Sequence, residues 1–470
     1  MRTKTITLAI FFLFISNCLI ISGANNDNQI NNTENTTEYD LLIISPKIFI
    51  NSLKPLVIHK NSHNVKTFIK NVNEIYKESQ GRDNAEQVKY YIKNVIEKWN
   101  IKYVLLVGGR KSPSLSEKWW IPVRYSHIEW DGHLNWTNQD IGESSFISDL
   151  YFADIYDKNG NFSSWDSDND SVFGEWLINK SADDMIDLKP DVYIGRLPCQ
   201  TIFEIKTVVN KIIKYESKSY NDSWFKNIVA IGGDSFPELN DSYEGEEYTQ
   251  MGLNYMTGFN HIKLWTSDSS LKNWRDIVKA INNGCGFVFF SGAANPYLWA
   301  TNLPNVEKRF YCFRSLHVPF LINHNKLPIL INGGGCHNNQ FSVSILKTKL
   351  HIYPLTQCMG WRLTSKPFGG VIASIAPTSI AHETPTIWSK RGGMEWLDIH
   401  FFEEYNINKT DILGAVWGKT INHFLQNFNI DFNDTIVNGD RLIAKNVKAW
   451  TIIGDPSLKI GGYQKYVPLM

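Results

Sequence analysis

Short apolar runs alternate with amphipathic stretches along most of the chain. Residues 41–45, LLIIS, form a continuous apolar run of the buried-strand type, and residues 103–108, YVLLVG, form another that ends in glycine. Between them, the apolar positions of residues 85–99 recur with the period of a helix. Buried strands that alternate with helices predict the α/β class, with a mainly parallel sheet flanked by helices.

The same alternation resumes after a region without a clear period. Residues 121–190 are aromatic and acidic, and we expect them to form a loop-rich insertion. A short strand and an amphipathic helix then close a first unit, and a second series of strands and helices follows, at residues 191–196, 202–217, 227–233, 262–265, 274–282, 286–290, 328–332 and 370–375. The pattern predicts two adjoining subdomains: residues 39–220, which carry the insertion, and residues 221–470.

The N-terminus has the features of a secretory signal. Arg2 and Lys4 precede an apolar run at residues 6–21, and small residues follow at 22–24. We therefore predict a signal peptide at residues 1–24, a flexible polar terminus at 25–38, and a secreted or cell-surface protein. A retained membrane anchor is the alternative, although a run of about 16 apolar residues is short for a membrane span.

Composition excludes several classes of function. The 470 residues are 43% hydrophobic and 20% charged, which is typical of a packed globular protein. The formal net charge is zero, so no overall field attracts nucleic acid or anionic lipid. The glycine-rich segments match neither GxxxxGK[ST] nor GxGxxG. We therefore expect neither a nucleic-acid nor a nucleotide partner.

Cysteine number points to at least one free thiol. Outside the predicted signal peptide the chain has Cys199, Cys285, Cys312, Cys336 and Cys358. An odd number cannot pair completely within one chain, and the spacings match no CxxC metal or redox motif. The sequence therefore predicts either a reactive free cysteine or an intermolecular disulfide.

Two strand ends in the second unit carry the candidate chemistry. Residues 287–296, FVFFSGAANP, are followed by Trp299, and residues 329–341 have the sequence ILINGGGCHNNQF. Ligands bind at the carboxyl ends of parallel strands, so Cys336 is well placed to attack a substrate. The glycines at 333–335 let a substrate backbone approach closely, and N–H groups at such a turn can hold an oxyanion.

These segments belong to a longer series that resembles a known family. The series is YVLLVGG, DLYFADIYD, GNFSSWDSDND, DVYIGRLP, FFSG followed by NP, GGGCHNNQF and IIGDPSLKI, in this order. From residue 39 to residue 460 the chain resembles the gingipain-like cysteine peptidases, peptidase family C25, which are relatives of the caspases and legumains. The resemblance implies a caspase-like fold and endopeptidase action on proteins or peptides, by a cysteine thiolate assisted by histidine, with no cofactor required.

The resemblance supplies the nucleophile but not the histidine. Cys336 matches the family nucleophile, whereas the family's Ser-Gly-His-Gly turn corresponds here to Ser291, Gly292, Ala293 and Ala294. Ala293 thus takes the place of the histidine, and Gly292 and Ala294 form the turn on the oxyanion side. General acid–base assistance is worth about 10²–10⁴-fold in rate. We therefore predict a peptidase homologue that is impaired or inactive.

Other interpretations of the site stay open at this stage. Trp299, Gly335 and His337 are predicted to lie on the substrate side. An active enzyme would need a surrogate base, and five histidines are candidates: His317, His324, His337, His351 and His382. A non-catalytic surface protein that binds peptides is the third possibility.

An acidic run inside the insertion is a candidate cation site. Asp166, Asp168 and Asp170 alternate along the chain, and Glu175 follows. Calcium prefers several oxygen ligands of this kind, and the resemblance implies a calcium-binding class, although the glutamate at position twelve of an EF-hand loop is missing. A structural Ca²⁺ site and a solvated acidic loop are the two interpretations.

Overall fold

One ten-stranded sheet forms the centre of the fold. The structure, a computed structural model, describes residues 38–112, 117–129, 133–134, 139–140, 143–235, 243–304, 306, 308–344, 356–382, 393–436 and 439–464. The predicted signal peptide and the predicted flexible terminus, apart from residue 38, lie outside these residues. Across the described part of the chain, the structure contains no helix that is long and apolar enough to cross a membrane.

Strands and helices alternate as the sequence pattern predicts. The strands are β1 (Leu41–Ser45), β2 (Thr67–Asn71), β3 (Tyr103–Val107), β4 (Tyr125–Ser126), β5 (His133–Leu134), β6 (Gln139–Asp140), β7 (Phe146–Ile147), β8 (Tyr193–Leu197), β9 (Asn227–Gly232), β10 (Asn260–Trp265), β11 (Phe287–Phe290), β12 (Ala293–Asn295), β13 (Leu298–Thr301), β14 (Phe310–Arg314), β15 (Ile329–Asn332), β16 (Ala373–Pro377) and β17 (Trp450–Ile453). The helices are α1 (Lys47–Ser62), α2 (Val72–Glu78), α3 (Asn84–Trp99), α4 (Ile202–Lys218), α5 (Glu244–Tyr255), α6 (Trp274–Asn283), α7 (Met359–Thr364), α8 (Met394–Asn406), α9 (Leu413–Asn427) and α10 (Asp440–Ala449).

The strand order of the central sheet is β10-β9-β11-β15-β16-β17-β8-β3-β1-β2. Its neighbours pair in parallel, except for the antiparallel pair of β16 and β17. The prediction of a mainly parallel α/β sheet is therefore confirmed. The last strand, β17, connects strands from both predicted subdomains, because it lies between β16 and β8. The boundary between residues 220 and 221 stays a prediction.

Alternating side chains along the inner strands fill two hydrophobic clusters. In β9, Ile228 and Ala230 belong to the larger cluster, whereas Val229 and Ile231 belong to the smaller one. All four are fully buried, and β11 and β15 alternate in the same way. Successive side chains of a strand point to opposite faces of its sheet, so both faces are covered here. This explains why these strands are continuously apolar in the sequence.

Local capping explains where the predicted helices begin and end. The Asp83 side chain accepts a hydrogen bond from the backbone N–H of Glu86 at 2.9 Å and so begins α3, which ends at Asn100 in the left-handed conformation. Thr201 and Glu204 cap α4 reciprocally. The helices predicted at residues 85–99, 202–217 and 274–282 are confirmed to within two residues at each end.

A buried ion network joins the first helix to the C-terminal GDPSLKI segment. The Lys60 ammonium lies 2.7 Å from Glu216 Oε1 and 2.8 Å from Asp455 Oδ2, and all three side chains are fully buried. His59 adds a hydrogen bond of 2.9 Å to the other oxygen of Glu216. Buried charges must be paired, so the acidic residue of the segment has a structural role.

Candidate functional site

The two strand ends that carry Ala293 and Cys336 are neighbours in the sheet. Strands β11 and β15 pair in parallel, with Phe290 opposite Asn332. After the strands, a Cβ added to Gly334 would lie 1.4 Å from the carbonyl oxygen of Gly292, so the two turns touch through their backbones. The predicted adjacency of the strand ends is confirmed, and only glycine fits at position 334.

Ala293 begins a hairpin beside the turn that contains Gly333, Gly334, Gly335 and Cys336, which we call the cysteine turn. Strand β12 pairs with β13 in antiparallel register, with Ala293 opposite Ala300 and Ala294 opposite Trp299. Gly292 precedes it, and a Cβ there would lie 2.8 Å from the Ala300 carbonyl oxygen. A hairpin thus begins directly beside the turn that carries Cys336, and the methyl group of Ala293 cannot transfer a proton.

Hydrogen bonds of the Asn338 side chain hold the cysteine turn in place. The side-chain oxygen of Asn338 accepts hydrogen bonds from Asn332 Nδ2 at 2.6 Å and from Trp299 Nε1 at 2.7 Å. The Asn338 amide donates to the Asn295 carbonyl at 2.7 Å. Trp299 is 1% exposed, so the prediction that it contacts substrate is wrong: its indole supports the turn from inside the core. A Cβ at Gly335 would lie 2.2 Å from Asn332 Oδ1, which explains that glycine.

The Cys336 thiol is half-buried and resides in a polar surrounding. Its Sγ donates to the Ala381 carbonyl oxygen at 3.8 Å. Burial raises the pKa of the Cys336 thiol, and the Glu143 carboxylate acts in the same direction, while the Ala381 carbonyl and the Lys445 ammonium oppose the rise in pKa. The resting side chain is therefore a protonated thiol.

Glu143 and Lys445 form an ion pair behind the cysteine turn. Lys445 Nζ lies 2.6 Å from Glu143 Oε2 and donates to Ser379 Oγ at 3.1 Å. The other oxygen of Glu143 is 3.9 Å from Nδ1 of His337. Sequence reasoning missed both charged residues, because they are 302 positions apart and no local motif marks either one.

The described candidate histidines differ in their surroundings and in the pKa of their rings. His337 follows Cys336 in a left-handed conformation with φ of 59°, and burial lowers the pKa of its ring. Burial also lowers the pKa of His382 to about 4, with Lys445 and Arg441 contributing. His317 stacks on Trp274 with ring centroids 4.4 Å apart.

Two candidate histidines remain, of which the structure describes only His324. His324 lies in an exposed turn whose backbone N–H donates to the Phe368 carbonyl at 3.2 Å. His351 lies outside the described residues. Among the candidate bases that the structure describes, His337 and His382 share a charged neighbour with Cys336, since the Lys445 ammonium acts on the pKa of all three.

The acidic run forms a different cluster from the one predicted. Asp166 and Asp168 converge with Asp184, and one oxygen from each lies within 4.8 Å of the others. Asp170 and Glu175, which the sequence suggested as ligands, are not part of this group of three. Sequence spacing could not show that a loop brings Asp184 back to the run.

The acidic cluster of Asp166, Asp168 and Asp184 offers the type of donor atom that a hard cation prefers. All are carboxylate oxygens, which Ca²⁺ prefers, and burial together with Asp183 and Asp170 raises the pKa of the nearby Glu175. Arg82, however, forms an ion pair with Asp166 and already compensates one of the negative charges. The cluster would hold a cation through Asp166, Asp168 and Asp184.

Fold and site together define the class of protein: a caspase-like α/β protein with a cysteine at the end of a central parallel strand. The model of peptidase family C25 matches residues 34–461, so the chain belongs to peptidase family C25. Membership confirms the resemblance found in the sequence motifs.

Curated relatives are distant and longer. Gingipain R2 of one Porphyromonas gingivalis strain is 22% identical over 300 residues, which cover 62% of this chain and 34% of the relative. Gingipain R2 of strain W83 is 21% identical over 428 residues, which cover 89% of this chain and 46% of the relative. The chain thus spans less than half the length of these relatives.

Solved structures agree on the fold. The crystal structure of the Arg-specific cysteine proteinase gingipain R matches with a TM-score of 0.60 at 20% identity, covering 91% of this chain and 79% of that one. A complex of the pro- and mature domains of RgpB from Porphyromonas gingivalis gives 0.59 at 20% identity, with coverages of 90% and 79%. These similarities show the caspase-like, gingipain-type fold.

Proposed function

We propose that this chain is an exported C25 homologue that holds peptide or protein segments beside Cys336 and cleaves peptide bonds negligibly. The observation that carries the proposal is that Ala293 follows the strand next to the one that leads to Cys336, at the position that the sequence resemblance assigns to the family's histidine. Burial also raises the pKa of the Cys336 thiol, so little thiolate forms near neutral pH without a base. The protein would bind as its relatives do and lack their proton transfer.

Further features support a peptide or protein partner outside the cell. The glycine turn at residues 333–335 and the adjoining β12 hairpin leave the family's backbone framework in place. One structural relative was solved as a complex of pro- and mature domains, which is consistent with a protein segment as partner. The signal-like N-terminus supports export.

An active peptidase with a surrogate histidine is the second candidate. One observation favours it: His337 is adjacent to Cys336, and Glu143 Oε1 lies 3.9 Å from its Nδ1, a distance at which the carboxylate attracts a protonated ring without a hydrogen bond. Against it, burial lowers the pKa of His337. A non-catalytic surface protein that binds through its aromatic insertion remains the third candidate.

Restoring the histidine turn tests the proposal. We expect the wild-type chain to leave a mixed peptide library intact, and Ala293→His combined with Ala294→Gly to gain measurable cleavage, because proton transfer contributes about 10²–10⁴-fold. The same double variant carrying Cys336→Ala is the control and is expected to be silent. Cleavage by the wild-type chain that Cys336→Ala abolishes would refute the proposal and support the surrogate histidine.

A further inference from the structure

An ion pair between Lys445 and Glu143 acts on the Cys336 thiol. Lys445 lies on α10 and Glu143 in the insertion, and their side chains are 1% and 13% exposed. Their separation of 2.6 Å makes a close ion pair, which the aromatic ring of Phe146 covers at 4.4 Å from the ammonium. In so dry a place, charges act on a neighbouring thiol far more strongly than in water.

The segment at residues 379–381 connects this pair to the cysteine. Ser379 accepts a hydrogen bond from Lys445 through its hydroxyl, and its carbonyl accepts the backbone N–H of His337 at 2.8 Å. The backbone N–H of residue 380 donates to Glu143 Oε2 at 3.2 Å, and the carbonyl of residue 381 accepts the Cys336 thiol. The ion pair and the thiol are thus held by consecutive residues of one strand end.

We propose that Lys445 and Glu143 are opposing positioning residues that set how readily the Cys336 thiol gives up its proton. The Lys445 ammonium stabilises the thiolate, and the Glu143 carboxylate weakens this effect because it partly neutralises the charge of Lys445. The proton leaves Sγ for water, and no covalent bond other than S–H changes. The inference rests on the proposed function only in taking Cys336 as the reactive residue.

Electrostatic coupling supports this geometry. Burial lowers the pKa of Lys445, while Glu143 and Cys336 both raise it, so the three groups respond to one another's charge. The other titratable or charged groups that face this cluster are His337, His382 and Arg441. Burial lowers the pKa of both histidines, whereas the ion pair with Glu143 at 2.6 Å favours the charged form of Lys445.

The test is the pH profile of alkylation of Cys336 by iodoacetamide, followed by mass spectrometry of the peptide that contains it. We expect Lys445→Met to move the midpoint up by about one pH unit, and Glu143→Gln to move it down. Near neutral pH the rate of Lys445→Met falls only about threefold, because a more basic thiolate is a better nucleophile. Alkylation requires no peptide binding or cleavage, so its result is independent of the proposed function.

Two further variants separate electrostatics from structure. Lys445→Arg keeps the positive charge, and we expect it to retain the wild-type profile. Lys448→Met removes a buried lysine of the same helix, whose ammonium donates to the Gly174 carbonyl at 3.2 Å, and should leave the profile unchanged.

The two main variants are expected to shift the midpoint of the alkylation profile in opposite directions, so the outcome is decisive. Shifts of Lys445→Met and Glu143→Gln in the same direction, or no shift in either, would overturn the proposal. Should Lys445→Met fail to fold, Glu143→Gln and Lys445→Arg still decide the question, because only the electrostatic role predicts a downward shift in one and none in the other.

Discussion

Replacing Lys60 by methionine is expected to destabilise the protein strongly. Methionine fills a similar volume, so the loss is chiefly that of the ammonium between Glu216 and Asp455. Burial by itself would lower the pKa of Lys60, but the two carboxylates raise it above its ordinary value of 10.5. The variant leaves two buried carboxylates without their common counter-ion.

The size of the loss in free energy of unfolding depends on the hydrogen bonds that Glu216 and Asp455 retain in the variant. Breaking a buried ion pair costs about 3–5 kcal/mol in free energy of unfolding. Glu216 retains the hydrogen bond from His59 and one from the Lys459 backbone N–H at 2.8 Å, and Asp455 retains the Ser457 backbone N–H at 2.9 Å. Because these donors remain, we expect the lower end, about 3 kcal/mol.

Urea unfolding followed by tryptophan fluorescence measures this loss. Lys102→Met is the matched control, because the side chain of Lys102 is 58% exposed and its ammonium lies 3.2 Å from Asp40 Oδ1. An exposed pair of this kind contributes less than about 1 kcal/mol. Equal losses for Lys60→Met and Lys102→Met would refute the reasoning that the buried network stabilises the fold.

The pH dependence of stability gives the same network a second test. Burial alone would raise the pKa of Glu216, but Lys60 and His59 bring it below the ordinary 4.5. Its stabilisation is therefore complete above pH 4.5 and is lost as the pH falls through the lowered pKa. Lys60, with a raised pKa, stabilises below pH 10.5. The difference between wild type and Lys60→Met should be largest at neutral and mildly alkaline pH and should shrink in acid, beginning above pH 4.5 because burial raises the pKa of Glu216 once Lys60 is removed.

Two further predictions concern the acidic cluster and the cysteine turn. Millimolar Ca²⁺ should raise the melting temperature of the wild type in calorimetry but not that of Asp168→Asn, because binding to the folded state alone stabilises it. Identical shifts would favour the solvated loop. Gly334→Ala should lose more than about 2 kcal/mol, since its Cβ would overlap Gly292. Gly160→Ala meets nothing within 4 Å and should lose only about 1 kcal/mol, from the strain of a side chain at a φ of 82°. A smaller loss in urea unfolding for Gly334→Ala than for Gly160→Ala would contradict the close backbone contact.

Regular periodicity and family motifs were sufficient for the framework of the molecule. Strands β1, β3, β9, β11 and β15 are buried on both faces, so their sequences are continuous apolar runs that can be recognised without coordinates. The glycine turn with Cys336 and the turn that contains Ala293 can likewise be recognised in the sequence, because each directly follows a predicted strand.

Only the tertiary structure decided the surroundings of the site. The sequence predicts a substrate contact for Trp299, whereas the indole is buried; no sequence pattern distinguishes an indole that lines a site from one that lies in the core beside it. Glu143 and Lys445 meet only because the insertion and α10 both pack against the cysteine turn, and Asp184 joins Asp166 through the path of a loop. Charges act through space, whereas local sequence patterns record only neighbours along the chain, so pairs this far apart could not be predicted from sequence alone.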